Sequence, residues 1–191
     1  MRKEDNKRIR WITYKEAERL KSELPKHLAD AMEFALQTGL RRSNMTSLEW
    51  SEVDFDRCHA FMPAAKSKSG KAIAVPLNVK AIAVLKKQIG KHHQFVFTYG
   101  GQQIIQLSTK AWRKALTRAE IKNFKWHDLR HTWASWHIQN GTSLQELQQL
   151  GGWASIDIVL RYAHLSSKHL KAAADRIAAT NLLHLGATMT G

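Results

Sequence analysis

Apolar residues recur at helical spacing through most of the chain, and the exception is one stretch in its first half. "ITYKEAERLKSEL" and "KHLADAMEFALQTG" carry their apolar positions three and four apart, which predicts two amphipathic helices. Thr13 followed three residues later by Glu16 forms a capping-box pattern at the start of the first. Gly39 stands where a left-handed residue would end the second. From Trp50 to Leu77 the texture changes to short β-rich pieces, "WSEVDFD", "HAFMPAA" and "AIAVPL", divided by the polar "KSKSG". These predict a small three-stranded antiparallel sheet with a hairpin tip near Lys68 to Gly70.

Beyond the sheet, Asn78 is placed to cap a third helix over "VKAIAVLKKQ", and "HHQFVFTYGGQQ" reads as a loop or short strand punctuated by paired glycines. After Gly101 the pattern is helical again through "STKAWRKALTRAE", "DLRHTWASWHIQN", "SLQELQQLG", "SIDIVLRYAH" and "SKHLKAAADRIAATNLLH", with Ser143 and Glu146 forming another capping box. The expected fold class is therefore mainly α with a small three-stranded antiparallel β-sheet. Residues 1–10, charged and aperiodic, read as a linker or N-terminal segment, and residues 11–191 as one domain.

Charge narrows the choice of partner. Thirty Lys plus Arg against sixteen Asp plus Glu give a net charge of +14, a balance that attracts polyanions, nucleic acid first and acidic membranes second. The single cysteine, Cys58, has no internal disulfide partner, and no Cys, His and Asp cluster shows zinc or calcium spacing, so no metal or other cofactor is expected. No apolar run reaches the roughly 18 residues of a membrane span, and no secretory leader follows the charged start. A cytoplasmic protein without a membrane partner is the expectation.

Four short stretches carry candidate chemistry. In "WHDLRHTWASWHIQNG", His127 and Arg130 stand three apart and can reach one ligand from one helix face. "TGLRRSNMTSLEW" sets Arg41 and Arg42 just after the glycine-ended helix, where a guanidinium can give two parallel hydrogen bonds to a phosphate; spacing does not choose between them. In "AKSKSGKAIAVPL", Lys66, Lys68 and Lys71 lie on or beside the hairpin tip, and any one could act as a mobile proton donor. "LGGWASIDIVLRYAHLS" holds Tyr162 nine residues beyond Trp153. Taken alone, Tyr162 would be a core aromatic.

In this order the four stretches resemble the tyrosine recombinases, the phage integrase family, and specifically their C-terminal catalytic domain, over about Thr38 to Leu165. The resemblance implies that fold, without the N-terminal helical core-binding domain usual in the family. It makes Arg41 the first active-site arginine, Lys68 the hairpin lysine, His127 and Arg130 the helix pair, and Tyr162 the nucleophile. Lys68 is preferred to Lys66 because it stands eight residues before the proline of "VPL". Trp153 takes a position where many members have histidine; an indole donates one N–H and accepts nothing, so it can hold an oxygen or buttress neighbours but cannot shuttle a proton. Asn44 replaces the usual acidic residue after the "LRxS" turn, which suggests a different support for Arg41.

The implied reaction is metal-free cleavage and rejoining of double-stranded DNA through a 3′-phosphotyrosyl link, serving integration or excision of phage or other mobile DNA in a bacterial cytoplasm. Arg41 and Arg130 would clamp the non-bridging oxygens, His127 would take or orient the Tyr162 proton, and Lys68 would protonate the leaving 5′ oxygen. Ile158, Val159 and Leu165 would anchor the tyrosine segment while its hydroxyl faces the phosphate. The last predicted helix would pack on its own domain or on a neighbouring subunit, as in a tetramer on DNA. Rival readings are a type IB topoisomerase, a DNA-binding module with a structural Tyr162, and a nuclease using His127 and His131.

Overall fold

The computed structural model describes residues 9–66, 70, 72–166 and 175. Helix α1 (Tyr14–Ser22) begins at the predicted capping box: Thr13 Oγ1 accepts from the Glu16 N–H at 3.2 Å and Glu16 Oε2 accepts from the Thr13 N–H at 2.7 Å. Helix α2 (Lys26–Thr38) is the central post, packing on α1, on α4 (Val79–Lys86) and on α6 (Asp128–Gln139). The Asn78 side chain caps α4 as expected, accepting from the Ala81 N–H at 2.9 Å. A short helix α3 (Arg42–Thr46) follows the Gly39 turn.

The sheet has the order β1 (Val53–Asp54), β2 (His59–Met62), β3 (Ile73–Pro76), all antiparallel, with Met62 opposite Ile73 at the loop end of the β2–β3 hairpin. The first strand is shorter than the sequence predicts, because Trp50–Glu52 winds into a 3₁₀ turn stabilised by Glu52 Oε2 accepting from the Glu49 N–H. The glycine-paired segment forms a separate two-stranded hairpin, β4 (Thr98–Tyr99) and β5 (Gln102–Gln103), tied to the end of α3 by Gln103 donating to the Thr46 carbonyl. Helices α5 (Lys110–Arg118), α7 (Leu144–Gly151) and α8 (Asp157–Leu160) complete the description. The predicted final helix, 167–184, lies outside the described residues apart from Asp175.

Helix α6 organises the interior because it is buried on nearly every side. Leu129 and Trp136 face the main core, whereas Trp133, Ala134 and Ile138 face a smaller cluster with Leu147, Val159 and Tyr162. Two hydrogen bonds to one residue lock this helix to the segment before α1: Trp136 Nε1 donates to the Ile12 carbonyl and the Ile12 N–H donates to Thr132 Oγ1. The first turn of α6 consequently stands where the two cores meet.

Gly39 connects this packing to the chemistry. It ends α2 at φ +62°, and a methyl on it would overlap the six-membered ring of Trp133. Both the left-handed backbone and the close approach exclude a side chain. Gly39→Ala is expected to destabilise the fold by about 2–3 kcal/mol, combining the left-handed penalty with overpacking. A denaturant titration checks it; a loss below about 0.5 kcal/mol would mean that the turn relaxes freely.

Candidate functional site

The tyrosine segment is not one helix. The sequence predicts a helix over 155–164, but α8 stops at Leu160, Arg161 and Tyr162 form a turn, and Ala163–Ser166 continue as 3₁₀. Val159 is fully buried and Leu165 packs on the same cluster, as the sequence leads one to expect, whereas Ile158 is 37% exposed and anchors nothing. Burying Val159 and Leu147 contributes about 1.5–3 kcal/mol each, which holds the turn down without regular helical bonding. Tyr162 is 1% exposed.

The hydroxyl differs from expectation in its direction. It is buried and hydrogen-bonded to His131 Nδ1 at 2.6 Å, instead of facing an open phosphate site. Burial pushes the phenol pKa up to about 12 against the pull of the Arg130 and Arg161 charges, so it is protonated at neutral pH. His131 is pushed down to about 4, by burial first and then by the neighbouring His127, with Asp128 opposing, so its ring is neutral. His127, the residue leading into α6, meets His131 edge-on with ring centroids 5.2 Å apart.

Arg130 is 8% exposed and braced from both sides. Its Nη1 donates to the Gly39 carbonyl at 2.5 Å and its Nη2 to the Gly151 carbonyl at 2.6 Å. Its guanidinium carbon lies 4.3 Å from the centre of a Trp153 ring, a cation–π contact that fixes the plane of the fork. Burial and the nearby Arg41 lower its pKa to about 10, Tyr162 opposing, so it stays charged at neutrality. A guanidinium has five N–H donors, and only two are used by these carbonyls.

The "LGGW" turn that ends α7 explains itself at this point. Gly151 has no room for a methyl because the Trp153 ring lies against it, and Gly152 adopts φ +59° with Ile73 of β3 packed on it. Trp153 thus buttresses Arg130, one of the two roles its indole allows, and stands 6.2 Å from Tyr162 between ring centroids.

Arg41 precedes α3, is half-buried, and is close enough to Arg130 to depress its pKa; Arg42 is exposed. Both line an open cavity of about 400 Å³ with Ser43, Ser108, Lys125, Trp126 and His127. Lys125 ends the basic stretch "KAWRKALTRAEIKNFK", whose charges can track a phosphate backbone, whereas nothing in the local sequence marks Ser108. Asn44 is buried beside this turn and its Oδ1 accepts from Ser43 Oγ at 3.3 Å.

Of the three hairpin lysines, Lys66 is fixed. Its Nζ donates to Glu52 Oε1 at 2.6 Å, Glu49 Oε1 at 2.8 Å and the Ser47 carbonyl at 3.0 Å. Burial works against its charge, but the bonds to Glu49 and Glu52 prevail and hold its pKa above the usual lysine value. Lys68 and Lys71 lie outside the described residues.

The neutral state of His131 has a measurable consequence. Its folded pKa is below the unfolded value of 6.5, so the unfolded chain binds the extra proton between pH 6.5 and about 4. Stability should fall as pH drops through that window, by an amount on the order of 2 kcal/mol once partial exposure is allowed for. His27 and His137 are also lowered by burial, so the quantity to measure is the difference between wild type and His131→Asn in pH-dependent unfolding. Equal acid sensitivity in the two proteins would contradict a neutral, buried His131.

Among the described residues no helix is long and apolar enough to cross a membrane. A family model described as "Phage integrase family" matches residues 10–169. The integrase of Salmonella phage P22 is 49% identical over 178 residues, covering 86% of this chain and 46% of that protein. A shufflon-specific DNA recombinase of Escherichia coli is 30% identical over 137 residues, covering 71% of this chain and 34% of that protein. The chain therefore spans less than half the length of either relative. Among solved structures, the catalytic domain of bacteriophage HP1 integrase superposes with a TM-score of 0.68 at 24% identity, covering 87% of this chain and 94% of that one, a likeness of fold.

Proposed function

Because this chain belongs to the phage integrase family, we propose that its residues 11–191 are the catalytic domain of a site-specific DNA recombinase, with residues 1–10 as a linking segment. The observation that supports this reading best is the convergence of the Tyr162 phenol, the doubly braced Arg130 and the Trp153 ring at the junction of the two cores. A purely structural tyrosine would not require a buried guanidinium held at such cost beside it.

In the proposed reaction, the Tyr162 oxygen attacks a DNA phosphorus, the bond to the 5′ oxygen breaks, and the phenol proton leaves as the new phosphoester forms. His127 takes or orients that proton. Arg41 and the unused donors of Arg130 neutralise the non-bridging oxygens as the phosphorus becomes five-coordinate. Lys68 delivers a proton to the departing 5′ oxygen, a role open to it because Lys66 is held by Glu49 and Glu52. The phosphotyrosyl link conserves the energy of the broken bond, so a 5′ hydroxyl of another strand can reverse the step and exchange partners. At 1% exposure the hydroxyl is covered, and DNA binding has to uncover it.

The cavity lined by Arg41, Arg42, Ser108 and Lys125 is the natural seat for the DNA backbone beside the cleaved bond, and the +14 charge makes that grip salt-dependent. The segment after Ser166 is proposed to join subunits into a tetramer on DNA, and the protein to act on phage or other mobile DNA in a bacterial cytoplasm. A nicked suicide duplex tests the reading: wild type should form a covalent protein–DNA adduct, and cleavage without an adduct would indicate a nuclease instead.

A further inference from the structure

We propose that His131 is the positioning residue for the Tyr162 nucleophile, holding its oxygen through a hydrogen bond from the hydroxyl to Nδ1, with the ring proton on Nε2. The inference rests on the reading of Tyr162 as the attacking group. It starts from geometry: the bond is 2.6 Å long, and the two rings are tilted by 41° with centroids 6.0 Å apart, which brings one edge of the imidazole to the phenol oxygen.

The phenol ring itself is confined. Tyr162 packs in the cluster of Leu147, Val159 and Trp133, with Trp153 across from it, so the rotation of its O–H bond is the main freedom left. A neutral acceptor at Nδ1 fixes that rotation and so fixes where the oxygen lone pairs point. Helix α6 delivers the acceptor by succession: Arg130 turns to the Gly39 and Gly151 carbonyls, and the next residue, His131, turns to Tyr162. One helical turn therefore holds both the group that grips the phosphate and the group that aims the nucleophile.

His131 is unsuited to be the base. A ring with a pKa near 4 takes a proton poorly from a phenol near 12, and what remains is orientation.

Single-turnover adduct formation on a nicked suicide duplex separates the possibilities, using wild type, His131→Leu, His131→Asn, Tyr162→Phe and the His131→Leu/Tyr162→Phe double variant. H131L should slow adduct formation about 10- to 100-fold, with DNA affinity within about twofold of wild type. H131N, whose Oδ1 falls near the place of Nδ1, should recover most of that loss. In unfolding titrations the H131L and Y162F losses should overlap rather than add, because both remove one bond. H131L reacting at or above the wild-type rate, or additive stability losses, would overturn the proposal. If H131L does not fold, H131N is compared directly with Y162F, and a rate loss in H131N as severe as in Y162F overturns the proposal. An adduct formed by Y162F would instead remove the nucleophile reading itself, so the two failures are distinguishable.

Discussion

Arg130→Lys is expected to reduce DNA cleavage by about a thousandfold or more and to destabilise the domain by about 2–4 kcal/mol. The guanidinium spans two backbone carbonyls from different parts of the chain, Gly39 after α2 and Gly151 at the end of α7, while its face rests on Trp153. An ammonium has one nitrogen and no plane. Its three donors leave from a single point rather than from two ends of a fork, so the bonds to the two carbonyls are weakened or one is lost, at about 1–3 kcal/mol, and it forfeits the stacking on the indole. The catalytic loss is larger because, in the proposed reaction, the donors that would neutralise the phosphate go with the fork. Single-turnover cleavage and a denaturant titration measure the two losses. A lysine variant within tenfold of wild type in rate would mean that Arg130 only braces the fold.

Tyr162→Phe should abolish adduct formation while leaving DNA affinity within about twofold, since the ring and its packing remain. Its cost in stability should be small, about 1 kcal/mol, arising from His131 Nδ1 losing its hydrogen-bond partner at a part-buried site. The combination of no chemistry, retained binding and a nearly intact fold is what separates a nucleophile from a core aromatic. A gel-resolved covalent complex and an affinity titration on the same duplex provide the comparison. Loss of binding in parallel with loss of the adduct would point to a structural tyrosine.

Local chemistry was the most legible part of the sequence. Thr13 with Glu16, Asn78, and Ser143 with Glu146 cap the helices they mark, because capping is decided within four residues. Gly39 ends α2 in the left-handed region as its position suggests, yet only the structure shows that Trp133 also requires it. The three-stranded sheet was readable from the change of texture at Trp50, whereas the β4–β5 hairpin was hidden in a two-residue pairing too short for an alternation signal.

For the candidate site, residue types and spacing in the sequence point to individual residues and not to the contacts among them. The 155–164 helix breaks at Arg161 because burying Val159 and Tyr162 together outweighs helical continuity, a tertiary effect with no local signature. The bond between His131 and Tyr162 spans 31 positions, and the sequence offered His131 only as a nuclease partner. Spacing to the proline of "VPL" favours Lys68 over Lys66, but that Glu49 and Glu52, 17 and 14 residues earlier, hold Lys66 has no signal in the local sequence.

Peptide mapping of the adduct shows whether the Tyr162 oxygen becomes bonded to DNA. Trypsin cutting after Arg161 and Lys168 releases the peptide YAHLSSK, which begins at Tyr162. After nuclease trimming of the trapped complex, mass spectrometry should find a residual nucleotide on that peptide, attached through the tyrosine. A nucleotide on a peptide containing Tyr14 or Tyr99, or cleaved DNA with an unmodified YAHLSSK, would rule out Tyr162 as the nucleophile.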